Sequence, residues 1–478
     1  MRYIAARSAG FEDRGPASLE KGEGIFMQHR NALRLVIGLV AVLAAALATS
    51  VASATTRPAK ADIRPEFTTA GSVAPQFLQN AITIPHWTFE FTDPTNSVTY
   101  PITMVGSDPR GGGSTTVHTV IVPLKMNFVA GNQDTSALND LGFAGFRATP
   151  LTHTFDGSTR AQNVIDSPIF SQSFTTPAIM GGDTAQVGDA FMRAQANKIG
   201  SSYHVTLAND SVLPTQTIDV PASKGLAYQR PVGAWREANG FGPTDTITGI
   251  ADYSWFSSHL QSLIQSLHIS ATTVPIFLTD NVLLYIGHAN YLNCCVLGYH
   301  GAGMPVGRGA GSANGQGKVP VQTFMYAAWT HPGTYSGFLP DYIDPSRTAP
   351  NPVRGLADIH ALSHEVSEWL DDPYVNNAVQ PWLTPTAPQY GCTDVLETGD
   401  PVVGVWFPYS GNTAAAPTGT TYYGQYHPED EVEAQWFGRG GVEPVLGSAY
   451  NSYLTFMGPL TTGLGGPYAG FGTYAQGC

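Results

Sequence analysis

The pattern of apolar and polar positions is most regular between residues 356 and 373. Apolar residues recur there at steps of three and four, the spacing of one face of an α-helix, at Leu356, Ile359, Leu362, Val366 and Leu370. His360, His364 and Glu368 follow one another at steps of four, so their side chains share another face of the same helix. Pro373 cannot continue a helix, so the pattern predicts a helix over 358–373 that stops there.

Elsewhere the chain changes between strand-like and helix-like stretches. Alternating or β-branched residues predict strands at 87–91, 97–105, 115–128, 203–207, 217–220, 273–278, 281–286 and 319–329. Amphipathic periodicity predicts helices at 188–198 and 251–268, before the helix at 358–373. This order of elements predicts an α+β fold.

The length of the chain, 478 residues, exceeds what one hydrophobic core usually organises, so two domains are expected. Residues 55–82 lack periodicity and are interpreted as a linker. Proline and glycine are frequent over 221–243, and we expect a boundary there. The prediction is a β-rich domain at 83–240 and a second domain at 241–478, which carries the 358–373 helix.

The first 54 residues have the pattern of a dispensable extension followed by a secretory signal. Met27 precedes a short basic region, an apolar run over 35–48, and Ala52-Ser53-Ala54, a cleavage site of the small-x-small type. We therefore expect translation to begin at Met27 and residues 1–54 to lie outside the fold. The apolar run is short for a membrane anchor, and no other run is long enough to span a bilayer. The sequence thus predicts a secreted, extracellular protein with no stable membrane partner after signal removal.

Composition and charge limit the classes of partner. Apolar residues make up 42% and charged residues 12% of the chain, which suits a folded protein and not a disordered one. Removing residues 1–54, with six basic and four acidic residues, changes the formal net charge from −13 to −15. An acidic chain without a basic cluster argues against nucleic acid as a partner.

The chain has four cysteines, Cys294, Cys295, Cys392 and Cys478. An even number in an exported protein indicates disulfides. We expect Cys294 and Cys295 each to pair with one of the other two, because a bridge between adjacent cysteines is strained. A thiolate metal site is the alternative, although the sequence has no Cys-x-x-Cys spacing.

The polar face of the predicted helix carries the strongest chemical signal in the sequence. His364-Glu365-x-x-Glu368 has the spacing of His-Glu-x-x-His, in which residues i and i+4 both reach one metal ion. Glutamate ligates zinc through oxygen, so Glu368 preserves a possible metal site. Glu365, at i+1, is placed to take a proton from an attacking water. The alternative is a solvated helix face that binds nothing.

Strands followed by a His-Glu helix and a downstream ligand resemble the layout of zincin metallopeptidases. The segment is also similar to the plant exordium (phosphate-induced) family and to uncharacterised bacterial secreted proteins. The residues that carry this likeness are Ser363-His364-Glu365-x-x-Glu368, Asp372-Pro373, Trp382 and the acidic segment 394–397. Leu396 stands where the plant pattern has Cys. The resemblance implies a zincin-like domain with one zinc ion, in which an edge strand, 281–286 or 319–329, holds an extended substrate above the helix.

The resemblance also implies a third metal ligand after the helix. It places an acid at Asp394, whose loop Cys392 could hold through a disulfide, so Asp394 is the first candidate. Glu397 is the second candidate. Asp371 or Asp372 is the third, although an acid at the end of the helix could instead orient a ligand.

Three further histidines are candidates for a role near the metal. His360 lies one turn before His364 and is interpreted as a supporting residue or a surface residue, with metal ligation as the alternative. His427 and His300 stand beside aromatic or glycine residues, as groups that polarise a substrate carbonyl often do. A packed, hydrogen-bonded histidine is the alternative for each. Of the two, His427 is the expected catalytic partner of Glu365.

These features predict a secreted, zinc-dependent peptidase that hydrolyses extracellular polypeptides. His364, Glu368 and Asp394 would bind the metal, and Glu365 would act as the base. The alternative is a non-catalytic secreted protein, bound to a surface or a wall, that keeps the metal for structure. Closed four-ligand coordination would favour the alternative, and an open coordination position would favour the enzyme.

Overall fold

A mixed sheet of twelve strands organises the protein and carries its two longest described helices on opposite faces. The computed structural model describes residues 66–69, 72–136, 138, 147–176, 178–238, 244–287, 294–304, 318–331, 334, 358–386, 391–407 and 426–478.

The secondary structure of these residues consists of eighteen strands, eight α-helices and several short 3-10 helices. The strands are β1 (Glu66–Thr69), β2 (Ala81–Ile82), β3 (His86–Thr92), β4 (Thr99–Val105), β5 (Ser114–Phe128), β6 (Pro150–Leu151), β7 (His153–Asp156), β8 (His204–Val212), β9 (Gln216–Val220), β10 (Gly225–Arg230), β11 (Thr246–Asp252), β12 (Thr273–Asp280), β13 (Val282–Tyr285), β14 (Cys294–Gly303), β15 (Val319–Pro320), β16 (Gln322–Trp329), β17 (Ala378–Leu383) and β18 (Cys392–Val395). The α-helices are α1 (Ala161–Asp166), α2 (Val187–Gln195), α3 (Gly233–Ala238), α4 (Tyr253–Ser266), α5 (His360–Asp371), α6 (Ala434–Phe437), α7 (Glu443–Leu446) and α8 (Pro459–Thr462). The 3-10 helices are Pro75–Asn80, Gly157–Arg160, Ala178–Met180, Asp400–Val402, Tyr450–Ser452 and Gly466–Gly472.

The order of strands in the large sheet is β6-β10-β11-β13-β14-β16-β12-β5-β7, with β1 beside β14 and with β8 and β9 beside β5. β13 lies between β11 and β14, and β16 lies between β14 and β12. The expectation that 281–286 or 319–329 forms a substrate-binding edge strand is therefore wrong. Strands that are distant in sequence cover both sides of β13 and β16, and such pairing leaves no local signal in the sequence.

Side chains alternate between the two faces of the central strands and so divide the core into two layers. Phe277 of β12 and Tyr326 of β16 pack in the layer that contains α4, whereas Ile276 and Met325, one residue before each, pack in the layer that contains α5. α5 lies against β14 and β16. These two strands are the floor beneath the candidate site.

The α+β fold class is confirmed. The strands predicted at 87–91, 97–105 and 115–128 correspond to β3, β4 and β5, and the helices predicted at 251–268 and 358–373 correspond to α4 and α5. β14, in contrast, is a ten-residue strand in a region where no strand was predicted. Its glycines interrupt the apolar pattern, and it gains its pairing from β13, β16 and β1.

The predicted domain boundary near residue 240 does not separate two compact units. Lys60–Cys478 forms a single unit. β10 pairs with β11 and β5 pairs with β12, so the large sheet joins the two predicted halves, 83–240 and 241–478. Parts of the predicted linker, 55–82, also belong to the fold, since β1 pairs with β14 and β2 with β15.

The expected disulfide pairing is wrong. Cys294 is bonded to Cys295 and Cys392 is bonded to Cys478. Cys294 and Cys295 are buried at the start of β14, inside the sheet. Cys392 and Cys478 are neighbours because β17 pairs with β18 and also forms a bridge from Trp382 to Gly477. Backbone pairing thus brings Cys392 to Cys478, whereas Cys294 and Cys295 are adjacent in the sequence.

The predicted signal segment, including Met27, lies outside the described residues. Within the described ranges, no helix has the length and the apolar character needed to cross a membrane.

Candidate metal centre

The helix α5 is buried on every side. All twelve of its residues are buried, including His360, His364, Glu365 and Glu368. The alternative interpretation, a solvated polar face, is therefore wrong. Burying ionisable side chains is unfavourable unless they meet partners of suitable charge, so the surroundings of these four residues indicate what the helix does.

A first group of possible metal donors comprises His364, Glu368 and Asp400. The Nε2 atom of His364 lies 3.0 Å from Oε1 of Glu368, one turn along the helix. The same nitrogen lies 3.9 Å from Oδ1 of Asp400, at the start of a 3-10 helix after β18. Gly399 allows this approach, because a Cβ atom at that position would lie 2.3 Å from Nδ1 of His364. The loop and the helix therefore supply one donor group together.

Glu368 is held in place by the same loop. Its Oε1 accepts hydrogen bonds from the backbone N–H groups of Gly399, at 3.1 Å, and Asp400, at 3.2 Å. Burial alone would raise the pKa of Glu368, but the charge of His364 and its hydrogen bond outweigh burial, and the pKa is lowered. A hydrogen bond from Glu397 lowers it further. The lowered pKa favours the ionised carboxylate of Glu368, the form that ligates metals.

A second carboxylate, Glu429, lies between two histidines of α5. Its Oε2 lies 2.9 Å from Nε2 of His360 and 3.0 Å from Nδ1 of His364. Its Oε1 accepts a hydrogen bond of 2.6 Å from the backbone N–H of Gly404, and its own N–H donates to Oγ of Ser363 at 2.9 Å. Because Glu429 contacts Nδ1 of His364, it directs Nε2 of that ring toward Glu368 and Asp400. Carboxylates orient metal-ligating histidines in this way.

The charges in this part of the centre reinforce one another. Burial opposes a charge on His364, but Glu368 and Glu429 outweigh it, so the pKa of His364 is raised well above its ordinary value. Burial likewise opposes a charge on Glu429, but His360 and His364 outweigh it and lower its pKa. Without a metal, a proton on His364 would offset part of the negative charge of the two carboxylates.

A second group of possible donors lies on the sheet side of α5 and comprises His300, Glu365 and Glu368. The Nδ1 atom of His300, on β14, lies 3.3 Å from Oε2 of Glu365 and 3.8 Å from Oε2 of Glu368. A Cβ atom at Gly298 would lie 2.6 Å from Oε1 of Glu365, so a glycine is required where the helix approaches β14. Burial lowers the pKa of His300 to about 4, although Glu368 opposes the shift. Burial, followed by the charge of Glu368, raises the pKa of Glu365 well above its ordinary value.

The candidates for the third ligand lie in different surroundings. Asp394, the first candidate, is exposed on β18 and belongs to neither donor group. Glu397 is buried and hydrogen-bonded to Glu368, so it supports a ligand. Asp371 accepts a hydrogen bond of 2.6 Å from Gln195. Asp372 accepts bonds from the backbone N–H groups of residues 376 and 377, which close the turn after α5.

His427, the predicted catalytic partner of Glu365, belongs to neither donor group. Its Nδ1 lies 2.7 Å from Oδ2 of Asp358, and its backbone N–H donates to Oδ1 of the same residue at 3.0 Å. The ring of Trp406 packs against His427 edge-on, with the ring centroids 4.8 Å apart. These contacts hold the segment after 425 against the start of α5.

Sequence reasoning missed Asp400 and Glu429 and gave His300 a different role. Asp400 follows Gly399 and precedes Pro401, a combination that marks a turn as often as a site. Glu429 lies in an acidic run, 429–433, without periodicity. The glycine at 298, two residues before His300, is the one sequence feature that could have indicated the close approach of α5 to β14.

The described residues fit a divalent metal ion. Imidazole nitrogens and carboxylate oxygens ligate zinc at about 2.0–2.2 Å, so donors around a tetrahedral ion lie about 3.3 Å apart. The separations of 3.0 Å and 3.9 Å within the first group are close to that value. Burial raises the pKa of Glu365, Glu397 and Glu431, and each has a buried carboxylate oxygen without a hydrogen-bond partner among the described residues. A cation would offset this excess of buried acid. The buried groups could thus hold a metal ion.

A separate cleft of about 170 Å³ lies among residues of β7, β11 and β12 and His331. It is lined by His153, Thr154, Phe155, Thr244, Asp245, Thr246, Ile247, Asp280 and His331. None of these residues belongs to either donor group. His331 and Arg160 both contact Oδ1 of Asp280, at 2.6 Å and 2.9 Å, so this carboxylate has a cationic partner in Arg160.

Comparisons with known proteins supply no relative for this centre. A scan against protein-family models, a search of curated proteins and a search of solved structures each found no match. The chemistry of the centre is therefore inferred from its own residues.

Proposed function

We propose that the protein is a secreted, zinc-dependent peptidase whose centre is built from His364, Glu368 and Asp400. The observation that carries the proposal is the pair of contacts on the ring of His364. Nε2 faces Glu368 at 3.0 Å, while Nδ1 is held by Glu429 at 3.0 Å. In metal centres a ligating histidine typically faces the metal and its other ligands with one ring nitrogen, while a carboxylate holds the second ring nitrogen.

Zinc bound there would supply a Lewis acid for the carbonyl group of the substrate and would lower the pKa of water at the centre. The residues of the chain supply the remaining chemistry. Glu365 takes the proton from water as the water oxygen forms its bond to the carbonyl carbon. The proton then passes to the amide nitrogen, and the carbon–nitrogen bond breaks. Burial raises the pKa of Glu365, which makes its carboxylate a stronger base once a nearby cation favours its ionised form.

The substrate proposed is an extracellular polypeptide. The signal-like pattern of residues 27–54 and the disulfide between Cys392 and Cys478 are both typical of exported proteins. The centre is accessible to solvent at Asp400, because the side chain of Asp400 is 31% exposed while that of His364 is 0% exposed. A substrate carbonyl would therefore enter beside Asp400.

A second candidate function is a secreted binding protein that keeps the metal for structure. The burial of the centre favours it, since the side chains of His364 and Glu365 are both 0% exposed and Glu368 is 1% exposed. The interior position of β13 and β16 favours it as well, because neither can hold a peptide as an added strand. The two functions differ in whether Glu365 has a chemical role.

The experiment compares the full chain with the Glu365→Gln variant and with Glu90→Gln, a control that changes an exposed glutamate on β3. Zinc content and hydrolysis of denatured casein are measured on each. For a peptidase we expect bound zinc in all three proteins and a loss of about 100-fold or more in kcat for Glu365→Gln alone. A wild-type protein that binds one zinc ion per chain and shows no hydrolysis would overturn the peptidase proposal and favour the structural role.

A further inference from the structure

The carboxylate of Glu368 faces two different sets of donors. Its Oε1 lies 3.0 Å from Nε2 of His364, in the group completed by Asp400. Its Oε2 lies 3.8 Å from Nδ1 of His300, in the group completed by Glu365. One side chain thus contributes one oxygen to each of two donor groups.

The second group has the chemistry of a metal site in its own right. It joins an imidazole nitrogen to two carboxylates, and its donor atoms all lie within 4.8 Å of one another. These are nitrogen and oxygen ligands of the kind that zinc and similar divalent ions prefer. The elements that carry them are a central strand and a buried helix, so the donors are held rigidly.

An unsatisfied buried atom points to a ligand at this position. Oε1 of Glu365 has no hydrogen-bond partner among the described residues, and the side chain is 0% exposed. An unpaired carboxylate oxygen in the interior is costly, and proteins satisfy such groups with a hydrogen bond or a cation. Gly298 removes the side chain that would otherwise fill the space beside this carboxylate.

We propose that His300, Glu365 and Glu368 form a second site for a divalent transition-metal ion, and that Glu368 bridges the two sites through its two oxygens. The proposal deepens the proposed function and rests on it for the first ion. Two-metal sites in enzymes hold their ions about 3.5–4 Å apart. A carboxylate that offers one oxygen to each ion suits that spacing.

The second site has a consequence for the proposed hydrolysis. Glu365 cannot be a metal ligand and a free base at the same time. Occupation of the second site would therefore suppress the hydrolysis that the first site supports. The supply of metal would regulate the centre through one side chain.

The test measures how many metal ions bind. The full chain is stripped of metal with a chelator and titrated with Co²⁺, followed by its visible absorption, and zinc is counted after dialysis against Zn²⁺. We expect two ions per chain in the wild-type protein and one in His300→Leu. Asp400→Ala, which changes the first group alone, is also expected to bind one.

Glu365→Gln is a second variant of the new site that keeps the shape of the side chain. It is expected to bind one ion, and near-ultraviolet circular dichroism compares the fold of each variant with that of the wild-type protein. One ion or none in the wild-type protein overturns the second site. If that single ion is lost in Asp400→Ala and kept in His300→Leu, the proposed function keeps its ligands and this inference alone fails. If it is lost in His300→Leu and kept in Asp400→Ala, the ligand set of the proposed function fails too.

Discussion

Glu429 offers the sharpest test of how the centre is assembled, because it contacts histidines and belongs to neither donor group. Its Oε2 is shared by Nε2 of His360, at 2.9 Å, and Nδ1 of His364, at 3.0 Å. The variant Glu429→Gln keeps the size of the side chain and one acceptor oxygen, but it removes the negative charge. The ring of His364 then loses the charged partner that fixes which of its nitrogens faces Glu368.

The magnitude follows from the kind of contact that is lost. Removing a carboxylate that orients a ligating histidine typically weakens metal binding by about 10–100-fold, or about 1.4–2.8 kcal/mol. Hydrogen bonds to charged groups contribute about 1.5–3 kcal/mol each, so one such bond accounts for the effect. We expect the Kd for zinc to rise by this factor while the number of ions bound at saturation stays the same.

The assay is competition for zinc between the protein and a chromophoric chelator at fixed pH. The control is Glu433→Gln, which removes a buried carboxylate from the same segment whose charged neighbours are Asp371 and Asp430, not histidines. A Kd for Glu429→Gln within about twofold of the wild-type value would refute the reasoning. An equal rise in the control would refute it too, since the effect would then come from any buried acid of that segment.

Two further predictions concern stability. Gly298→Ala should lower the free energy of unfolding by about 1–3 kcal/mol in urea titrations, because its Cβ would lie 2.6 Å from Glu365, whereas Gly303→Ala on the same strand meets nothing within 4 Å and should change it little. Equal values for the two variants would contradict the close approach of α5 and β14. Burial raises the pKa of Asp430 from 3.8 to about 7, so the folded state holds this proton more tightly than the unfolded state. Protonation of Asp430 therefore stabilises the folded state at low pH. This stabilisation, about 4 kcal/mol at most, is lost as the pH rises from about 4 to 7. Asp430→Asn should reduce this slope in urea titrations between pH 4.5 and pH 8, and an unchanged slope would show that other groups cause it.

The part of the centre that could be predicted from sequence is the part that one helix determines. A step of four residues is close to one helical turn, so His364 and Glu368 had to lie together wherever the helix was. Pro373 fixed its end to within two residues of the observed end at Asp371. The chemistry of the motif was readable for the same reason, because spacing and residue type were enough.

The remaining residues come from segments whose positions depend on distant pairing. Asp394 was the first candidate, but β18 pairs with β17 and leaves Asp394 exposed. The chain returns to α5 at Glu397 and Gly399, and Asp400, which was missed, follows them. Glu429 reaches the helix through backbone hydrogen bonds between the segments around 405 and 430. No local periodicity records such contacts, so the sequence could indicate an acid after the helix without indicating which one.

The disulfide between Cys392 and Cys478 closes a loop that spans 86 residues of sequence. Asp400 and Glu429 lie inside this loop, whereas His300 and Glu365 lie outside it. Such a link restricts the unfolded chain and so favours any arrangement in which the loop stays against the rest of the protein. In a reducing compartment the segment that carries Asp400 and Glu429 would lose this covalent support. The first donor group would therefore be most secure in an oxidising compartment, where this disulfide persists.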